Sequence, residues 1–171
     1  MFVVPGKSKR EILTATYVLR SLFNKLDEPY IRVERIIERL DTVDPTFQYQ
    51  YWDNNAFPKG MEAYYDPATN SMHIPDITYN NAVNGEGRAR FTLAHELGHY
   101  FLGHKAVMAR QDQIVPKYCQ SEWQANTFAS YFIAPPHILY KCANPYAVST
   151  MFGMSKSAAK IAFDNVKKPS A

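Results

Sequence analysis

The chain has 171 residues, of which 46% are hydrophobic, enough for one domain with a sizeable core. A formal charge of +3, from 19 Lys and Arg against 16 Asp and Glu, is too small to argue for nucleic acid. No apolar run approaches a membrane span, the N-terminal Met1–Lys7 is too short in apolar length for a signal peptide, and Cys119 and Cys142 lack metal-site spacing. A soluble cytoplasmic protein with reduced thiols is expected.

In chain order, residues 8–26 read as a first helix with Ile12, Tyr17, Leu19, Leu22, Phe23 and Leu26 along its apolar stripe. After Asp27-Glu28-Pro29 a second helix runs to about Leu40, with Val33, Ile36, Ile37 and Leu40 inward. Residues 47–52 alternate aromatics with glutamine, the period of a strand. Two further strands, 61–65 and 71–75, flank the turn-forming Asp66-Pro-Ala-Thr-Asn70. Pro75 marks the second of them as a sheet edge, open to an added peptide strand. Residues 76–87, with their Asn and Gly, read as a loop and as a rim of a substrate cleft.

From Phe91 to Leu102 apolar residues lie on nearly every side, the pattern of a buried helix, and within it stands His95-Glu96-Leu97-Gly98-His99. Histidines four apart project from one helical face and can share one metal ion, while Glu96 sits beside the ion as a base for its water. The metzincin pattern would place Gly and His at 102 and 105, where this chain has Leu102 and Lys105. His104 lies about 140° round the helix from His99 and would have to bend back to share the ion. A downstream helix, capped by Ser121, offers Glu122 as the third ligand and Asn126, one turn on, to orient a ligating imidazole. Small Ala125 and Ala129 would let it approach the histidine helix, and Asp112 is a reserve ligand. The set reads as a gluzincin-like centre: His95, His99 and Glu122 on the metal, Glu96 catalytic, Asn126 behind. Zn2+ is the ion expected, though His and carboxylate ligands accept several divalent metals. His73, Tyr100, His104 and Tyr131 are candidate oxyanion or substrate contacts.

Residues 144–163 read as two helices joined at Gly153, the second capped by Ser155. The outline is like a helix-turn-helix, but Lys156 and Lys160 are its only polar contacts of use before Asn165, so a helical pair packed on the domain is expected in place of DNA binding.

Arg88-Ala-Arg90-Phe-Thr-Leu-Ala-His95-Glu96-Leu-Gly-His99-Tyr-Phe-Leu, followed by Glu122-x-x-Ala125-Asn126-x-Phe128-Ala129 and Pro135, resembles the ImmA/IrrE family of zinc metallopeptidases. The likeness extends from about residue 25 to 166. Family members often carry an acidic residue where this chain has Gln124. The resemblance implies an α+β zincin-like fold: a small antiparallel or mixed sheet, an active-site helix, and helical N- and C-terminal segments. One domain over 1–171 is expected, divided into N-terminal helices (1–43), sheet and loop (44–87), zinc-site helices (88–133) and a C-terminal helical pair (134–171). It further implies site-specific cleavage of a helix-turn-helix repressor encoded on a mobile element, prophage or stress locus. The competing expectation is a zinc-containing binding module that sequesters a repressor or antitoxin without cutting it.

Overall fold

A computed structural model of the protein describes residues 2–105, 107–108 and 115–167. The chain opens with a short strand, β1 (Phe2–Val3), and enters α1 (Lys9–Leu22) through a capping box. Ser8 Oγ accepts from the Glu11 N–H at 3.2 Å and the Ser8 N–H donates to Glu11 Oε2 at 2.8 Å, satisfying two groups that a helix start leaves unpaired. The helix stops four residues before the expected Leu26, because Asn24 turns into the left-handed region at φ 55°. Leu22, its last residue, is exposed, whereas Ile12, Leu19 and Phe23 are buried. Arg20, fully buried on the same face, donates to the carbonyls of Phe132 and Glu28.

α2 (Val33–Glu38) buries Val33, Ile36 and Ile37 as expected, then tightens into a 3-10 turn carrying Leu40. The sheet is formed by β2 (Gln48–Trp52), β3 (Tyr64–Asp66) and β4 (Ser71–Pro75) in the order β2-β4-β3. β2 runs parallel to β4, with Gln48 opposite Ser71 and Trp52 opposite Pro75, and β3 runs antiparallel to it. The expected edge strand is therefore the centre of the sheet. Pro75 is accommodated because it is the last residue of β4, where the chain leaves the ladder, while Met72 and Ile74 are buried.

Pro75 leads directly into α3 (Asp76–Val83), where a loop was expected. Polar content misleads here: Thr78 and Ala82, one turn apart, are both buried, and Thr78 Oγ1 donates to the Glu62 carbonyl at 2.6 Å. The loop is only residues 84–86, and Glu86 then caps α4 (Gly87–Phe101) by accepting from the Arg88 and Ala89 N–H groups at 3.2 and 3.0 Å. Arg90, also fully buried, stacks on Tyr30 and donates to the carbonyls of Ile31, Phe152 and Gly153, tying the first turn of α4 to both ends of the chain.

Beyond α4, β5 (Val107–Met108) pairs antiparallel with β1, and the N-terminal segment continues along residues 118–120 through Val4 N–H to Cys119 O and Lys7 N–H to Tyr118 O. α5 (Ser121–Ile133) crosses α4; its cap position is Gln120, with Ser121 already the first helical residue. α6 (Pro136–Leu139), α7 (Pro145–Phe152) and α8 (Lys156–Lys167) complete the fold. α7 ends on Gly153 at φ 62°, and Ser155 Oγ accepts from the Ala158 N–H, as expected of the C-terminal pair. One buried apolar cluster draws on the sheet and on α1 through α8. Among the described residues no helix is long and apolar enough to cross a membrane.

Candidate metal centre

The site forms where α4 and α5 cross. Gly98 sits at the contact: a Cβ there would stand 3.1 Å from Ala125 Cα and 3.2 Å from Phe128 Cβ, so the missing side chain is what lets the two helices approach. Ala125 and Ala129 are fully buried on the facing side of α5. The approach brings the exposed Glu122 carboxylate over the two histidines, with Oε2 3.3 Å from His95 Nε2 and Oε1 3.4 Å from His99 Nε2. The two Nε2 atoms are 2.9 Å apart.

Each imidazole is held from behind. His95 Nδ1 lies 3.0 Å from Asn126 Oδ1, and His99 Nδ1 lies 2.9 Å from His104 Nδ1. A histidine whose Nδ1–H donates to such an acceptor presents a lone pair at Nε2. Two imidazole lone pairs and a carboxylate then converge, an arrangement that repels itself unless a cation stands among them. Two ligand atoms at about 2.0–2.1 Å from a tetrahedral ion are separated by about 3.3 Å, matching the carboxylate–imidazole spacings. The His95, His99 and Glu122 donor atoms all lie within 4.8 Å of one another, and the set fits a divalent metal ion.

The electrostatics agree. Burial lowers the His95 pKa, but the hydrogen bond to Glu122 and the charges of Glu96 and Glu122 more than offset it, leaving the group raised. Burial, then the charge of His95, pushes His99 down to about 4. When His95 is protonated, the hydrogen bond it then donates to Glu122 lowers that carboxyl. Such a cluster draws in positive charge and resists accumulating protons on both rings.

Glu96 stands beside this trio and outside it. Its Oε2 accepts the Tyr65 N–H of β3 at 2.8 Å, so the sheet edge fixes the carboxylate. Burial pushes its pKa up to about 7, opposed by the nearby His95 and by the Tyr65 N–H. A carboxylate with that value exchanges a proton readily near neutrality.

The remaining candidates are placed elsewhere. His73 belongs to the sheet: Trp52 Nε1–H donates to its Nδ1 at 3.0 Å, Ser71 Oγ meets its Nε2 at 2.8 Å, and Tyr64 stacks on the ring at 4.5 Å. Tyr100 O–H donates to Asp44 Oδ2 at 2.9 Å, a carboxylate that no motif or spacing in the chain singles out. Asp44 also accepts from Thr46 and Asn70, and these bonds hold its pKa at about 2. His104 is buried behind His99, where its Nε2–H donates to Gln124 Oε1. Tyr131 lines a cleft of about 540 Å³ together with Asn126, Trp123, Phe91 and Met154. Asp112 lies outside the described residues.

The model of the IrrE N-terminal-like domain, Peptidase_M78, matches residues 56–163, more than half of the chain, from ahead of β3 into α8. The match begins later than the expected likeness from residue 25, leaving α1, α2 and β2 outside it. A comparison with curated proteins returned no match. A helix bearing paired histidines, crossed by a second bearing a carboxylate, and the match over this same region lead to one conclusion: the chain belongs to the ImmA/IrrE, or Peptidase_M78, family of metallopeptidases and has its zincin-like α+β fold.

Proposed function

We propose that the protein is a zinc-dependent endopeptidase of the cytoplasm, acting as one zincin-like domain, with His95, His99 and Glu122 holding Zn2+ and Glu96 as the catalytic base. The observation that carries this reading is the placement of Glu96. Its carboxylate is pinned by the Tyr65 N–H next to the three ligand groups, within reach of a water shared with them, and burial raises its affinity for a proton. Bound zinc supplies a Lewis acid that polarises the peptide carbonyl and acidifies water. Glu96 takes a proton from the attacking water and passes it to the leaving amine. Asn126, on the turn after Glu122, keeps the His95 ring oriented. The cleft lined by Asn126 and Tyr131 is a place for substrate side chains beside the scissile bond, with Tyr131 within the same wall.

The substrate we propose is a helix-turn-helix repressor, cut at one site, of the kind carried with such peptidases on prophages and other mobile elements. The test is incubation of the zinc-loaded chain with the repressor encoded beside it, followed by mass spectrometry of the products. Glu96→Gln should keep one zinc per chain and lower cleavage by about 10²–10⁴-fold. Undiminished inactivation of the repressor by that variant, with the repressor left intact, would instead establish sequestration by a zinc-containing binding module.

A further inference from the structure

Behind His99 lies a buried chain of hydrogen bonds that the proposed mechanism does not use. Gln124 is fully buried in α5, on the turn between Glu122 and Ala125, and its amide nitrogen donates to two main-chain carbonyls, Pro5 O at 2.9 Å and Tyr118 O at 2.7 Å. A reversed amide would set its oxygen against both carbonyl oxygens, so its partners fix the orientation. Gln124 Oε1 is thus an acceptor, and it lies 2.9 Å from His104 Nε2. His104 must carry its proton on Nε2 to satisfy it. A neutral imidazole protonated at Nε2 has its lone pair at Nδ1, and that atom faces His99 Nδ1 at 2.9 Å. His99 must then hold its proton on Nδ1, which leaves Nε2 as the free lone pair turned toward His95 and Glu122.

His104 reaches this position because the chain leaves α4 through Gly103, two residues past Phe101, whose φ of 68° folds it back so that the His104 N–H donates to the His99 carbonyl at 3.0 Å. His104 is 4% exposed, which leaves its two ring partners shielded from bulk solvent.

We propose that Gln124 and His104 are positioning residues that set the tautomer and ring orientation of His99, and that the N-terminal segment, through the Pro5 carbonyl, is the anchor of this relay. The proposal rests on the reading of His99 as a metal ligand. It makes residues 2–7 a structural part of the metal centre, although they lie outside the span matched by the family model. The donor–acceptor direction runs one way: Gln124 accepts from His104, His104 from His99, and His99 turns a lone pair to the ion.

The test uses the full chain with zinc bound. Long-range 1H–15N spectra of the wild type report each imidazole's tautomer, and the expected result is His104 protonated at Nε2 with Nδ1 bare. A His104 protonated at Nδ1, with zinc bound, would overturn the relay whatever the variants do. Zinc affinity is then measured by competition with a chromophoric chelator for Gln124→Leu, His104→Phe and the double variant. Each single change is expected to weaken zinc binding about 10–100-fold. Because the two residues act in series, the double variant should lose no more than His104→Phe alone; additive losses would overturn the proposal. A wild-type chain that binds no zinc would overturn the metal reading itself, an outcome distinct from a wrong tautomer.

Discussion

The two histidines of the candidate metal centre are chemically the same group supported in opposite ways. His95 leans on a single exposed amide, Asn126, which lies on the same helix as Glu122 and one turn beyond it. His99 leans on a buried chain, His104 then Gln124, that ends on main-chain carbonyls from residues 5 and 118. The first support is local to α5 and open to the cleft; the second joins α4, α5 and the N-terminal segment. An exposed amide exchanges its bond with water at little cost, whereas a buried one leaves orphaned groups behind when it is removed. The contrast implies a rigid inner imidazole and an adjustable outer one, the latter beside the cleft that Asn126 and Tyr131 line.

The largest expected effect removes what both supports share. Gly98→Val places methyl groups against Ala125 and Phe128 and forces α5 away from α4. It should destabilise the fold by about 1–3 kcal/mol and abolish stoichiometric zinc binding, read by thermal unfolding and metal analysis. Zinc binding at wild-type affinity in that variant would show that the crossing does not set the site.

Next comes the asymmetry itself. Gln124→Leu takes the partner from the Pro5 carbonyl and from the His104 Nε2–H, while Tyr118 O keeps the Lys7 N–H, and should cost about 1–3 kcal/mol in the metal-free protein as well as zinc affinity. Asn126→Ala, at an exposed position, should change denaturant stability by no more than about 0.5 kcal/mol and weaken zinc binding about tenfold, the low end of the range for such partners. Equal stability losses in the two variants would erase the comparison.

The smallest effect serves as a boundary for it. Asp44 binds Tyr100, the residue after His99, yet touches neither histidine support. Its folded pKa of about 2 is below the ordinary carboxylate value, so its stabilisation is present above about pH 4 and is lost as pH falls through 2. Asp44→Asn should therefore lower stability at neutral pH modestly, flatten the loss between about pH 4 and 2, and leave zinc affinity at pH 7 unchanged. Urea melts across that pH range measure the first two expectations.

How much of this was legible in the sequence follows the range of the interactions. Helix period and capping residues brought out α1, α2, α4, α5 and the C-terminal pair, and the spacing of His95, Glu96, His99, Glu122 and Asn126 singled out the residues that the crossing brings together. The errors fall where neighbours decide. α3 is polar in composition and helical because Thr78 and Ala82 find a buried face. β4 carries a proline and is central because that proline closes the strand. Arg20 and Arg90, surface residues by type, are buried because carbonyls from distant segments receive their guanidinium groups.

What the sequence determined by itself was which side chains share a face at the candidate centre, since a helix repeats every 3.6 residues and places side chains four apart on one face whatever surrounds it. What only the tertiary structure decided was the environment of each group. His104 appeared free to face a substrate and is instead behind His99, turned there by Gly103. Gln124 appeared to be a lost charge and is a fixed acceptor, because carbonyls from residues 5 and 118 claim its amide protons. Hydrogen-bond direction depends on partners distant in the chain, and no local periodicity encodes it.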